Sequence, residues 1–220
     1  MSTVLEIFPL TVGTLIALFM AWRKLREDYP ESDIFSLCAF IIFGSLAGFI
    51  IAGAIPIIDL RFWLSVVLGS LLVYLWSKRL EMRFFEIVEA ITPAFLVYLV
   101  FVFVSLIPKF LGRFSLFVLT EPLLVLGCLG IFYYFSLNYR TFLWYPSGKI
   151  GIASLVALAF YFLIRAFVAW FAPYALLFSD PILDIILGII IGVVTTLVIY
   201  FRSGRNLKYD LKGISGIIKR

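Results

Sequence analysis

The chain contains no histidine, and that one absence removes both the commonest general base near neutral pH and the commonest metal ligand. Any catalysis would have to rest on Arg, Glu, Asp, Tyr, Lys or backbone groups, and neither a metal nor a cofactor is expected. Cysteine is almost missing too. Cys38 and Cys128 both sit inside apolar runs without paired spacing, so they read as small buried hydrophobes rather than ligands or a disulfide. Charge is scarce at 14% of residues, against ~25% in a soluble domain.

What is present in excess is apolar: 64% hydrophobic residues and a mean hydropathy of +1.13. These values define an all-α integral membrane protein. When 220 residues are divided among spans of ~20, no soluble domain fits. The net charge of +5 points to a membrane surface with anionic lipid as partner, and no nucleic acid is needed to explain it.

Seven runs are long enough to be read as transmembrane helices: about Leu5–Trp22, Ile34–Ala54, Phe62–Trp76, Phe84–Ile107, Ser115–Leu137, Ile150–Phe171 and Pro181–Phe201. The third is short, with Asp59 and Arg61 expected at the interface. No basic residues precede the first run and no small-residue cleavage site follows it, so a retained span is expected there rather than a cleaved signal peptide.

Basic residues fall almost wholly on one side. Arg23, Lys24, Arg26, Lys78, Arg79, Arg83, Arg140, Lys149, Arg202, Arg205, Lys208, Lys212, Lys219 and Arg220 share it, against Arg61, Lys109 and Arg113 on the other. The positive-inside rule then predicts the N-terminus outside, the C-terminus cytoplasmic, and residues 202–220 as a basic cytoplasmic tail. Aromatic clusters at the ends of the runs (Trp22, Phe62 with Trp63, Trp76, Trp144 with Tyr145, Trp170) read as interfacial anchors.

One cation escapes the pattern. Arg165 lies inside the sixth run with no other charge beside it, where an arginine costs roughly 2.5–3.5 kcal/mol on insertion scales and marks a functional site by default. Arg165 lies six residues before the outer end of its run, and Glu121 lies six residues after the outer start of the fifth. At a rise of ~1.5 Å per residue both sit about 9 Å deep. Equal depth and opposite charge make Glu121 the natural partner, with Asp184 the second candidate. Such a pair serves either as a functional site or as a lock between helices.

Three lesser features stand out. Glu86 and Glu89, spaced i, i+3 at the start of the fourth run, suit capping and loop docking. Pro93 breaks the hydrogen-bond ladder of that run. Gly44, Gly48 and Gly53 form a small-residue stripe suited to close helix packing.

Several stretches resemble the prolipoprotein diacylglyceryl transferase family. Residues 77–93 (SKRLEMRFFEIVEAITP) resemble its basic loop, Phe-Phe pair, acidic residue and Ile-Ala-Pro-like end, with Glu89 where the family has Asp. Thr120 and Glu121 resemble the Tyr-Glu at the start of span five. Residues 161–165 (YFLIR) resemble the Tyr-Gly-x-x-Arg of span six, and residues 181–184 (PILD) the Gln-Ile-Leu-Ser that opens span seven.

The resemblance implies seven spans in a bacterial plasma membrane. It also implies a function related to moving diacylglycerol from phosphatidylglycerol to a lipoprotein cysteine. The partners it implies are a phospholipid and a lipoprotein precursor, with Arg165, Glu121, Tyr161 and Asp184 as lipid-binding residues and Arg165 and Glu121 as the catalytic candidates.

The departures are equally specific. The family's His-Gly-Gly falls at Trp63, Leu64 and Ser65. Its Arg-x-Gly-Asn signature would begin at Phe103, where no polar equivalent stands. The family's Glu after the span-six Arg falls at Ala169, and its outer head shrinks to about Pro108–Phe114. The expectation is therefore a transferase-like protein with an eroded site and residual phospholipid or lipoprotein binding. The alternatives are an active enzyme using Glu121 as base, or a small transporter or structural scaffold built on an Arg165–Glu121 pair.

Overall fold

The computed structural model describes residues 2–55, 59–110, 120–142, 144–145, 147–171 and 180–204. Among these residues every regular element is helical: α1 (Ser2–Leu25), α2 (Glu31–Gly53), α3 (Arg61–Arg79), α4 (Phe84–Phe110), α5 (Thr120–Asn138), α6 (Ile152–Phe171) and α7 (Pro181–Arg202). A 3-10 turn, Tyr139–Thr141, follows α5. The expected start of the fifth span at Ser115, most of the reduced outer head, and residues 205–220 of the basic tail lie outside the described residues.

Six of the helices, all but α3, are long and apolar enough to cross a membrane, which makes this a multi-pass helical membrane architecture. In α3, Arg61, Lys78 and Arg79 stand at the ends, and Ser65, Ser70 and Ser77 dilute what lies between.

Local chemistry sets the helix ends. Asp180 caps α7, its carboxylate accepting from the Ile182 amide at 2.9 Å, and Pro181 occupies the first turn where its missing donor costs nothing. At the end of α3 the Met82 amide reaches back to the Ser77 carbonyl at 2.9 Å, and the Glu81 amide to Lys78 at 3.4 Å. This Schellman closure needs a left-handed residue, and the position is held by Glu81 at φ 56° rather than by glycine.

The helices pack as close pairs: α1 on α4, α2 on α3, and α6 on α7. Small residues bring the pairs together, because lipid supplies no hydrophobic drive between helices. A methyl at Gly48 would stand 2.5 Å from the Leu64 carbonyl oxygen, and one at Gly188 would stand 2.7 Å from that of Phe162. Gly44 packs the same way on Leu68 and Leu72, whereas Gly53, the third of the stripe, has nothing within 4 Å.

α7 is inside-out relative to a soluble helix. It buries Asp184, Gly188, Gly192 and Thr195 and exposes Ile182, Ile186, Ile190, Val193 and Leu197. Two large apolar cores and two smaller ones result. One large core gathers α1, α2, α3 and α4 around Leu37, Ile87 and Ala90. The other gathers α3, α4, α5 and α6 around Trp63, Leu96, Val125 and Tyr161.

Candidate functional site

The start of α3, the start of α5, the C-terminal half of α6 and the start of α7 meet at one end of the bundle, and Arg165 is where they meet. Its side chain is 1% exposed, with Glu121 at 2% and Asp184 at 0%. Arg165 Nη1 donates to Glu121 Oε1 at 2.5 Å and to the Tyr161 phenol oxygen at 3.2 Å. Nε donates to Asp184 Oδ1 at 2.9 Å and Nη2 to Oδ2 at 3.3 Å, so Asp184 takes the guanidinium side-on with both oxygens. The Phe62 ring lies 3.8 Å from Arg165 Cζ and covers one face of the cation.

All four residues singled out in the sequence (Arg165, Glu121, Tyr161 and Asp184) therefore come together. Each helix contributes by periodicity: Tyr161 and Arg165 stand one turn apart on the same face of α6, while Glu121 and Asp184 occupy the first turns of α5 and α7.

Trp63 corrects the reading of it as an interfacial anchor. It is 2% exposed, and its Nε1 donates to Asp184 Oδ1 at 2.8 Å. Its ring stacks on Phe162 with centroids 5.6 Å apart. Trp63 thus ties α3 into the cluster and shares an acceptor oxygen with Arg165. The signal that could have revealed it is its place in register with the opposed Asp184, near the same end of the bundle.

Above the cluster the charges are half-exposed and conventional. Arg61 and Asp59 pair at 2.6 Å, and the Asp180 amide donates to the Asp59 carbonyl at 3.1 Å, linking the approach to α3 with the cap of α7. The Arg61 hydrogen bonds hold the Asp59 carboxyl below its ordinary range.

The two acids at the start of α4 separate in role. Glu86 accepts from the Tyr29 hydroxyl at 2.7 Å and from Arg83 at 3.0 Å, docking the α1–α2 connection. Burial, then the Glu86 carboxylate, pushes the Tyr29 phenol up. Glu89 is buried and accepts from the Gly151 amide at the start of α6. Its carboxylate thereby meets the positive end of that helix, 62 residues on in sequence. α4 continues through Pro93 without a break.

Chemically, the Arg165 cluster is closed. All three of the guanidinium's nitrogens already donate, mostly to carboxylates, so a phosphate would have to displace Glu121 or Asp184 to reach it. Each carboxylate in turn accepts from Arg165 and is held from acting as a base.

Beside the cluster, along the seam of α5 and α6, lies an open groove of about 380 Å³ lined by Thr120, Leu124, Gly127 and Cys128 on one side and by Phe160, Ile164 and Val168 on the other. Gly127 widens it, since a methyl there would meet nothing within 4 Å. Among the described residues no group of three Cys, Asp or Glu side chains gathers that could hold a metal ion. Compared with family models, curated proteins and solved structures, the chain matches none.

Proposed function

We propose that the chain is a transferase-like membrane protein that holds a phospholipid without moving its diacylglyceryl group. On this reading all seven helices span the bilayer, α3 included, with the N-terminus outside and the C-terminus cytoplasmic. The Arg165 end then faces outward, as the basic-residue asymmetry requires.

The observation that carries the proposal is the adjacency of two features. The positions at which the chain resembles diacylglyceryl transferases, Glu121, Tyr161 and Arg165, converge in one cluster. Against that cluster runs an apolar groove suited to an acyl chain. The loss of catalysis is argued from the same residues: no histidine, Trp63 in place of the family's His, and both nearby carboxylates engaged by Arg165. Phosphatidylglycerol is the lipid the resemblance favours.

Native mass spectrometry of the purified protein tests the binding half. Retained phospholipid is expected on the wild type, and Gly127→Leu should retain fewer phospholipid molecules per chain with no loss of stability, because the new side chain enters open space. Equal retention in both would refute the groove as the lipid site. Incubation with phosphatidylglycerol and a lipobox peptide tests the other half. No thioether product is expected, and product that depends on Glu121 would establish an active enzyme.

A second reading, a structural scaffold, is favoured by the sealing of Arg165 at 1% exposure. It predicts that Arg165→Gln unfolds the protein more readily while leaving any retained lipid unchanged in kind.

A further inference from the structure

At the opposite end of the bundle, the connection from α5 to α6 is built as a shelf. Ser147 fixes it to the end of α7, its Oγ donating to the Arg202 carbonyl at 2.5 Å and its amide to the Ser203 carbonyl at 3.3 Å. Arg202 returns the contact, Nη2 donating to the Ile150 carbonyl at 2.6 Å while its guanidinium lies 3.5 Å over the Phe85 ring. The Tyr145 hydroxyl donates to the Lys149 carbonyl at 3.0 Å and closes the turn. Gly148 at φ 57° and Gly151 at φ 101° supply left-handed backbone that other residues rarely adopt.

On this frame stand Arg140, exposed and 5.6 Å over the Tyr139 ring, the exposed Lys149, and the stacked pair Phe142 and Trp144 with centroids 5.6 Å apart. No acidic residue occurs in the sequence between Glu121 and Asp180. Among the described residues, the carboxylate that bonds to the shelf from another helix, Glu89, is buried and committed to the Gly151 amide. In the sequence, Gly204 is followed by Arg205, Lys208, Lys212, Lys219 and Arg220 against Asp210 alone.

We infer that this shelf is a docking surface for the phosphate headgroups of anionic phospholipid, with Arg140 and Lys149 as its exposed cations. Six apolar helices end at this level or at its opposite, so the shelf's cations lie where headgroups lie. Aromatic rings beside cations suit that boundary, since the rings meet acyl chains while the charges meet phosphate. A lipid surface therefore fits better than an acidic protein, because Phe142 and Trp144, packed on one side against Phe135, Tyr139 and Tyr145, are only half-buried and leave ring surface open to acyl chains beside the cations. The shelf reads charge and does not depend on the groove beside Arg165.

The test uses the full chain in nanodiscs of phosphatidylcholine mixed with phosphatidylserine, a charged lipid that the transferase resemblance does not single out. The readout is the enrichment of phosphatidylserine among lipids retained in native mass spectrometry. Enrichment is expected for the wild type, for Gly127→Leu, and for the charge-preserving pair R140K with K149R. The pair R140Q with K149Q should lose about five-fold in enrichment per cation removed, and added salt should erase the difference. Equal enrichment with and without the two cations would overturn the inference. So would enrichment that disappears in Gly127→Leu, which would place the lipid in the groove. Loss in both variant pairs would mean that packing rather than charge governs retention, and would overturn it as well.

Discussion

The two ends of this bundle use the same carboxylate chemistry to opposite effect. At the Arg165 end, two acids and one guanidinium are sealed together, and both ion pairs run between side chains of different helices. At the Glu89 end, a single buried acid accepts from a backbone amide, Arg202 is half-buried over the Phe85 ring, and Arg140 and Lys149 stay exposed. A charge deep among apolar helices must bring its counter-charge with it, whereas a charge near the polar boundary can use a helix terminus and leave its neighbours to the headgroups. The first arrangement fixes helix positions; the second leaves cations available to a partner.

The comparison breaks most severely at Arg165. Arg165→Gln strands two buried carboxylates and should cost about 3–5 kcal/mol in chemical unfolding in detergent. Arg165→Lys should recover little of it, because an ammonium cannot span both oxygens of Asp184 while also reaching Glu121. Trp63→Phe tests whether the cluster extends to α3. Loss of the Nε1 donor to Asp184 should cost about 1–3 kcal/mol, and a change near zero would leave Trp63 as packing alone. At the other end, Glu89→Gln keeps an acceptor and loses only its charge. About 1 kcal/mol is expected, with faster hydrogen exchange of the Gly151 amide as the local signature. Smallest, and opposite in sign, is Glu81→Gly. Relieving a left-handed non-glycine residue at the end of α3 should raise stability by about 0.5–1 kcal/mol, read as a higher unfolding midpoint.

Much of the Arg165 cluster is legible in the sequence because depth in a membrane is countable. A lone arginine, an acid at matching depth on the next helix back and another near the start of the next helix on leave few ways to neutralise the charge. Trp63 was not legible. A tryptophan near the end of an apolar run suits an interfacial belt and a buried hydrogen bond equally well, and its neighbours Asp59 and Arg61 favour the belt. Only the packing of α3 against α6 and α7 chooses.

Gly53 failed for a geometric reason. Gly44 meets Leu68 and Gly48 meets Leu64, so in that antiparallel register Gly53 would face residue 59 or 60, before α3 begins. The stripe in α2 outlasts its partner. Glu89 shows the reverse case: the sequence allowed loop docking, but its acceptor role toward Gly151 joins residues 62 apart, which no local pattern reveals.

The buried stripe of α7 also bears on how the chain enters the bilayer. Alone, α7 would present Asp184 to lipid, and α6 alone would present Arg165. Each is a poor candidate for release from the translocation machinery until the other is beside it. Residues 172–180 are the only chain between them, so α6 and α7 are suited to partition as a hairpin, with the charge cancelled before either helix meets hydrocarbon. Glu121 would already be waiting on α5, synthesised earlier. The order of helices along the chain thus matches the order in which the charges need one another.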